Sequence, residues 1–324
     1  MPPILLRLLA IGLITWIGSE IFQSDDEELE ISDASDCDKI FKRFNRRIEI
    51  SPEKVEKLKR AHYTIRDKVV KYIQYNTNLP IPQFFIQGSY KTKTLIENTN
   101  LKSDVDLGVF FPYKPRISIE AIQSHIKRAL QGHTRYGVTV KISCVRLNYV
   151  SDFHIDLPIY FIDQSTGRAY YGAQGYEWEE SDPKGFISWF NNQTKKKPQL
   201  HRIIRYLKAW LENVKQKSGR KLPSGLAMTL WAIEFYQKDT RDDVAFIQTS
   251  LSILEYLNNN YKKSWNSFMP VAPYDDVLDR LNSSQKDFFY DELRSMSEIG
   301  MEGLTAKNQT QAQRKWRKIF GARF

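Results

Sequence analysis

The chain has 324 residues, 41% of them apolar and 27% charged, enough to bury one large core or two ordinary ones. Its only cysteines, Cys37 and Cys144, lie far apart, which excludes a disulfide-built scaffold; collagen-like and wholly disordered classes are excluded by composition. The formal charge of +10 hides a division, because Ser19 to Asp38 holds nine acids and no Lys or Arg, leaving +18 on the residues that follow.

Ile4 to Phe22 is apolar all round a helix and is broken only by Arg7 and Glu20 near its ends. At about 1.5 Å per residue such a run just reaches across a bilayer core of about 30 Å. Trp16 suits an interfacial position, and no small-residue cleavage site follows. Residues 1–22 are therefore expected to form a hydrophobic helix that anchors the chain to the inner membrane; the alternative is a helix docked on the body. Residues 23–38 read as a solvated acidic linker.

Ser51-Pro52 opens a helix, the hydroxyl capping free N–H groups and the proline suiting the first turn. Val55, Leu58, His62, Ile65, Val69 and Tyr72 then form one buried stripe that runs to about Asn76. Phe84–Ile86 reads as a strand into Gly88-Ser89, residues 104–111 (DVDLGVFF) as a second, and Ser118 caps an amphipathic helix through Leu130. Val138, Val140 and Ile142 alternate, and Val145 and Leu147 alternate in the opposite phase, which predicts a bulge. FHIDLPIYF reads as one further strand. From about Asp182 the pattern is helical, with helices predicted at 198–219, 224–236, 242–259, 283–298 and 307–319. The expected body is an α+β lobe over 39–180 with a small mixed sheet, followed by a helical C-terminal lobe over 181–324 and a site in the cleft.

Three acids stand out. Residues i and i+2 of a strand share a face, so Asp104 and Asp106 project together. Asp156, in the FHIDLPIY run, would complete a cluster of hard oxygen ligands suited to Mg²⁺. Each piece alone has a plainer reading: D-x-D pairs are more often solvated strand edges, and a lone Asp is usually at the surface. The three lie in apolar runs, however, where unpaired carboxylates are costly without a metal or basic partner. Gly88 lets the backbone approach a phosphate, and Ser89 can donate to one. The five histidines have no zinc-like spacing with the cysteines, and neither a G-x-x-x-x-G-K-[ST] loop nor a G-x-S-x-G elbow occurs. His154 shares the strand parity of Asp156, with packing as its plainer role.

QGSYKTKT followed by DVDLGVFF resembles the signature of polymerase-β-like nucleotidyltransferases: G-S, then D-x-D, then a third Asp on a later strand. More narrowly, the chain resembles the bacterial cGAS/DncV-like nucleotidyltransferases (CD-NTases). That resemblance runs from about Ser51 onward through LHRIIRYLKAWLE, KLPSGLAMTL, FMPVAPYDDVLDRLNSSQKDFF and WRKIFGARF. It implies that Asp104, Asp106 and Asp156 are catalytic and bind two Mg²⁺ ions, with Mn²⁺ as a substitute, and that Asp156 helps deprotonate the attacking hydroxyl. It implies that Gly88, Ser89, Lys208 and Ser224 bind nucleotide, the last two at the donor triphosphate. The sequence departs from the pattern in two respects. Gly225 stands where relatives carry a base-stacking aromatic, and Lys91 and Lys93 where they often carry Arg.

The implied function is condensation of NTPs into a cyclic di- or trinucleotide second messenger, with pyrophosphate release, in antiphage signalling through a separate effector. Since NTPs are cytosolic, the body would face the cytoplasm. The alternatives are a template-independent RNA or oligoadenylate nucleotidyltransferase and a non-catalytic, membrane-tethered nucleotide-binding scaffold. Nucleic-acid activation is not expected, because no Cys/His insertion is present to grip a duplex.

Overall fold

The computed structural model describes residues 31–97, 103–149, 153–260 and 265–324. The hydrophobic run at 4–22 and most of the acidic tract lie outside these residues. Among the described residues no helix is long and apolar enough to cross a membrane. The chain forms two compact units. One comprises Ile48–Lys195 with Phe268–Asp275; the other comprises the described residues up to Arg47, Lys196–Ser267 and Asp276–Phe324.

The first unit is built on an eight-stranded mixed sheet: β1 (Gln83–Gln87), β2 (Ser103–Phe111), β3 (Val138–Val140), β4 (Val145–Asn148), β5 (Phe153–Leu157), β6 (Ile159–Ile162), β7 (Ala169–Gly172) and β8 (Glu179–Glu180). On one side β2 pairs with β1, antiparallel; on the other it pairs with β5 and β6, both parallel to it. The expected single strand FHIDLPIYF is thus two, because Pro158 has no N–H for the ladder; its carbonyl instead accepts from Val109 N–H at 2.9 Å. The predicted bulge is a hairpin. β3 and β4 pair antiparallel around a turn closed by Lys141 N–H on Cys144 O at 2.8 Å, and chain reversal accounts for the change of phase.

The helix predicted from Ser51 forms over Pro52–Asn76, with Ser51 Oγ accepting from Lys54 N–H at 3.3 Å. It and the helix Ile119–Leu130, capped by Ser118, bury one face of the sheet around Leu58, Ile65, Val69, Val105, Leu107 and Ile126. The helix Pro183–Thr194 completes the unit.

The second unit is helical: Asp38–Ile48, Pro198–Ser218, Gly225–Glu234, Asp242–Asn259, Ser283–Leu304 and Gln309–Phe320. Its core is aromatic, with the Phe41 ring edge-on to Tyr206 at 5.1 Å and to Trp316 at 4.9 Å. The segment 39–47, expected with the sheet, therefore packs among helices. The last part of the tract read as a solvated linker is docked there too: Ser35 and Cys37 are fully buried, and Ser35 Oγ donates to Leu304 O at 2.6 Å.

Candidate active site

Alternation along β2 builds the site. Val105, Leu107, Val109 and Phe111 point into the core, so Asp104, Asp106, Gly108 and Phe110 occupy the opposite face. The parallel register sets Asp106 beside Asp156 and Asp104 beside His154. On the other side of β2, Asp106 pairs with Gln87, after which the chain turns at Gly88. Gly88 has φ of 67°, and a Cβ there would overlap Asp106 Oδ2. The turn is laid directly over the carboxylate.

Ser89 sits in the single helical turn Gly88–Lys91, and its carbonyl accepts from Thr94 N–H at 2.9 Å and Leu95 N–H at 3.0 Å. Buried Thr92 and Thr94 join hydroxyls at 2.9 Å and close the loop. Of the lysines expected here, Lys91 holds its ammonium 5.8 Å from the Phe85 ring centroid, and Lys93 adopts φ of 58°.

The residue that sequence reasoning missed is Arg146. It faces Asp156 across the antiparallel β4–β5 pair. Its Nε donates to Asp156 Oδ1 and its Nη2 to Asp156 Oδ2, both at 2.7 Å, and Nη2 also lies 3.3 Å from Asp104 Oδ1. Hydrogen bonding to Asp156 raises the guanidinium's proton affinity further. A signal existed: Val145 and Leu147 are inward, so the residue between them shares the face of the acids.

Burial, followed by the Asp156 and Asp104 charges, pushes the Asp106 carboxyl up to about 7, although Arg146 pulls the other way. The face is thus short of positive charge, and its all-oxygen donor set fits a hard divalent cation. Among the described residues the carboxylates do not converge into a three-ligand group as they stand. Cys144, beside them, is held as the thiol, pushed up to about 12 by burial and by Asp156. Further along the face the Phe110 and Tyr160 rings stack at 4.4 Å, Gln87 Nε2 donates to Tyr160 Oη at 2.9 Å, and the Lys184 ammonium stands 5.1 Å from the Phe110 centroid.

The sheet unit therefore gathers Gly88, Ser89, Asp104, Asp106 and Asp156, whereas Lys208 and Ser224 belong to the helical unit. There Ser224 caps the helix Gly225–Glu234, its Oγ accepting from Ala227 N–H at 3.1 Å while its own proton stays available to donate. A Cβ at position 225 would stand 3.3 Å from Lys208 Cε, so the glycine leaves room for the lysine stem at this helix N-terminus. Burial, then Arg205, pushes the Lys208 ammonium down to about 7. An anion at this helix N-terminus would oppose both effects and restore the charge of the lysine.

These features define a nucleotidyltransferase fold with a D-x-D and third-Asp face. Residues 82–160 match the family described as cyclic GMP-AMP synthase DncV-like, nucleotidyltransferase domain. A cyclic GMP-AMP synthase of Escherichia albertii is 30% identical over 191 residues; the match covers 55% of this chain and 42% of that protein, so well under half of the relative's length is spanned. The fold is shared with the Vibrio cholerae DncV cyclic AMP-GMP synthase, at TM-score 0.73 and 15% identity over 89% of this chain and 97% of that one. It is shared likewise with Escherichia coli MS115-1 CdnC, solved in a HORMA-deltaN complex, at TM-score 0.71 and 15% identity over 90% and 99%. Bradyrhizobium diazoefficiens CdnG, solved with GTP, matches at TM-score 0.68 and 13% identity over 87% and 98%.

Proposed function

We propose that the chain condenses nucleoside triphosphates into a cyclic di- or trinucleotide, releasing pyrophosphate. The observation that carries this reading is the pairing of Asp106 with Asp156 in register, Asp104 on the same face and the Gly88 turn over Asp106, within the DncV-like segment. Asp104, Asp106 and Asp156 would hold two Mg²⁺ ions, or Mn²⁺ in their place. Bound there, the metal supplies charge compensation for the triphosphate and the departing pyrophosphate.

A ribose hydroxyl oxygen of one nucleotide bonds to the α-phosphorus of another. The bond from that phosphorus to the pyrophosphate oxygen breaks, and the hydroxyl proton passes to Asp156. The same step within the linear product closes the ring. Gly88 and Ser89 offer a close backbone and a hydroxyl to phosphate oxygens, and Lys208 and Ser224 are assigned to the donor triphosphate. The accompanying role is antiphage signalling through a separate effector, from a cytoplasmic body anchored by residues 4–22.

Incubation of purified protein with labelled NTPs, followed by phosphatase, tests the reading. A small phosphatase-resistant product is expected, and mass spectrometry identifies its bases and ring size. A ladder of linear products would assign the chain to template-independent polymerisation instead. Product formation that survives Asp104→Ala with Asp106→Ala would remove the proposed metal site.

A further inference from the structure

The chemistry above leaves Arg146 without a task, yet its guanidinium is bonded to two of the carboxylates on this face. A purely structural cross-strand pair needs one acid. Here Nη2 is shared: it donates to Asp156 on β5 at 2.7 Å and lies 3.3 Å from Asp104 on β2, while Nε takes the other Asp156 oxygen at 2.7 Å. Both oxygens of Asp156 thus accept from one guanidinium, which stays charged at every working pH. The fork also ties together two of the three carboxylates assigned to the metal. A divalent ion on those oxygens would lie within a few ångströms of the guanidinium, and two cations that close on a half-buried face repel strongly.

We propose that Arg146 is an internal counter-cation that holds Asp104 and Asp156 while no metal is bound, and that it must release them before a divalent cation is taken up. The inference rests on the metal reading of the three acids. The way out lies on the solvent side, since the Arg146 side chain keeps 26% of its surface exposed, against 13% for Asp156. Arg146 is a positioning residue on this account: it sets where the carboxylates stand and what the metal competes with.

Manganese binding to nucleotide-free protein, followed by electron paramagnetic resonance, separates this role from a structural one. If Arg146 only braced the site, Arg146→Gln would weaken Mn²⁺ binding. As a competing cation, its removal should tighten Mn²⁺ binding by at least about tenfold, a small part of the repulsion between two cations a few ångströms apart. Arg146→Lys, which keeps the charge but not the fork, should fall between. Unchanged or weaker binding in Arg146→Gln overturns the proposal.

A second measurement uses the unaltered chain. Phenylglyoxal should modify Arg146 several-fold faster with Mn²⁺ present than with EDTA, as read by peptide mass spectrometry. Equal or slower modification also overturns it. Absence of saturable Mn²⁺ binding in every variant would remove the metal reading and this inference with it. Mn²⁺ binding without any nucleotide product would instead count against the synthase reading alone.

Discussion

Gly88 and Asp106 constrain each other at the level of single atoms. Because φ at Gly88 is 67° and the space for a Cβ is taken by Asp106 Oδ2, Gly88→Ala meets both a backbone and a steric cost. The left-handed conformation alone costs about 1–2 kcal/mol for an L-residue. In an Asp106→Ala background the steric part disappears, so thermal melts of the four-member cycle should show Gly88→Ala costing markedly less there than in the parent. Asp106 also makes a pH prediction. Its folded-state carboxyl lies at about 7, above its ordinary range, so the metal-free folded protein binds a proton that the unfolded chain has lost. Stability from this group is fully present below about pH 4 and falls as pH rises towards 7. Asp106→Asn should therefore be more stable than the parent at pH 8 in EDTA, by about 2–4 kcal/mol, with the gain gone near pH 4. Urea melts at the two pH values check the sign.

At the scale of elements, what could be read from the sequence was local. The helix opening at Ser51-Pro52, the strand parity of Asp104 and Asp106 and the cap at Ser118 depend on residues a few positions apart, and each stands in the fold. Arg146 and Asp156 meet only through the register of a hairpin partner, which no local pattern states. The division of FHIDLPIYF turns on a proline that an edge strand would have tolerated but a strand between two partners does not. The helix Asp242–Asn259 shows the same limit, for its opening Asp242-Asp243 looks like an ordinary exposed acidic first turn. Instead Asp242 is fully buried, bound by Arg202 at 2.6 and 2.8 Å, Gln199 at 2.9 Å and Tyr206 Oη at 3.0 Å. Removing one partner of a buried ion pair leaves the other uncompensated, so Asp242→Ala should cost about 3–5 kcal/mol. Urea denaturation measures it, and a loss below about 1 kcal/mol, the scale of an exposed pair, would show the network to be dispensable.

Across the whole molecule, charge and fold divide at different places. The acidic tract ends at Asp38, and the net positive body begins there, yet the polypeptide is already docked by Ser32. Ser32 N–H and Ser35 Oγ both donate to Leu304 O, Cys37 N–H donates to Asp243 Oδ2 at 3.1 Å, and Asp38 Oδ1 accepts from Asp242 N–H at 2.9 Å. Arg241 closes the arrangement, donating to Asp243 Oδ2 at 2.8 Å and to Ser32 O at 3.3 Å. The acids of this stretch thus cap and pair within the helical unit. A chain that starts at Lys39 loses these bonds and the buried Cys37 side chain, and leaves the Asp243–Arg241 pair facing water. Compared with a chain that starts at Ile31, it should lose about 3 kcal/mol, given roughly 1 kcal/mol for each buried hydrogen bond and somewhat more for the side chain. For a unit of this size that is roughly 6–12 °C in Tm, measurable by calorimetry. If the tract were only a solvated linker, the two chains would melt together, and added salt would move both alike. A separation that persists in high salt is expected, because bonds among buried groups are screened far less than surface charges.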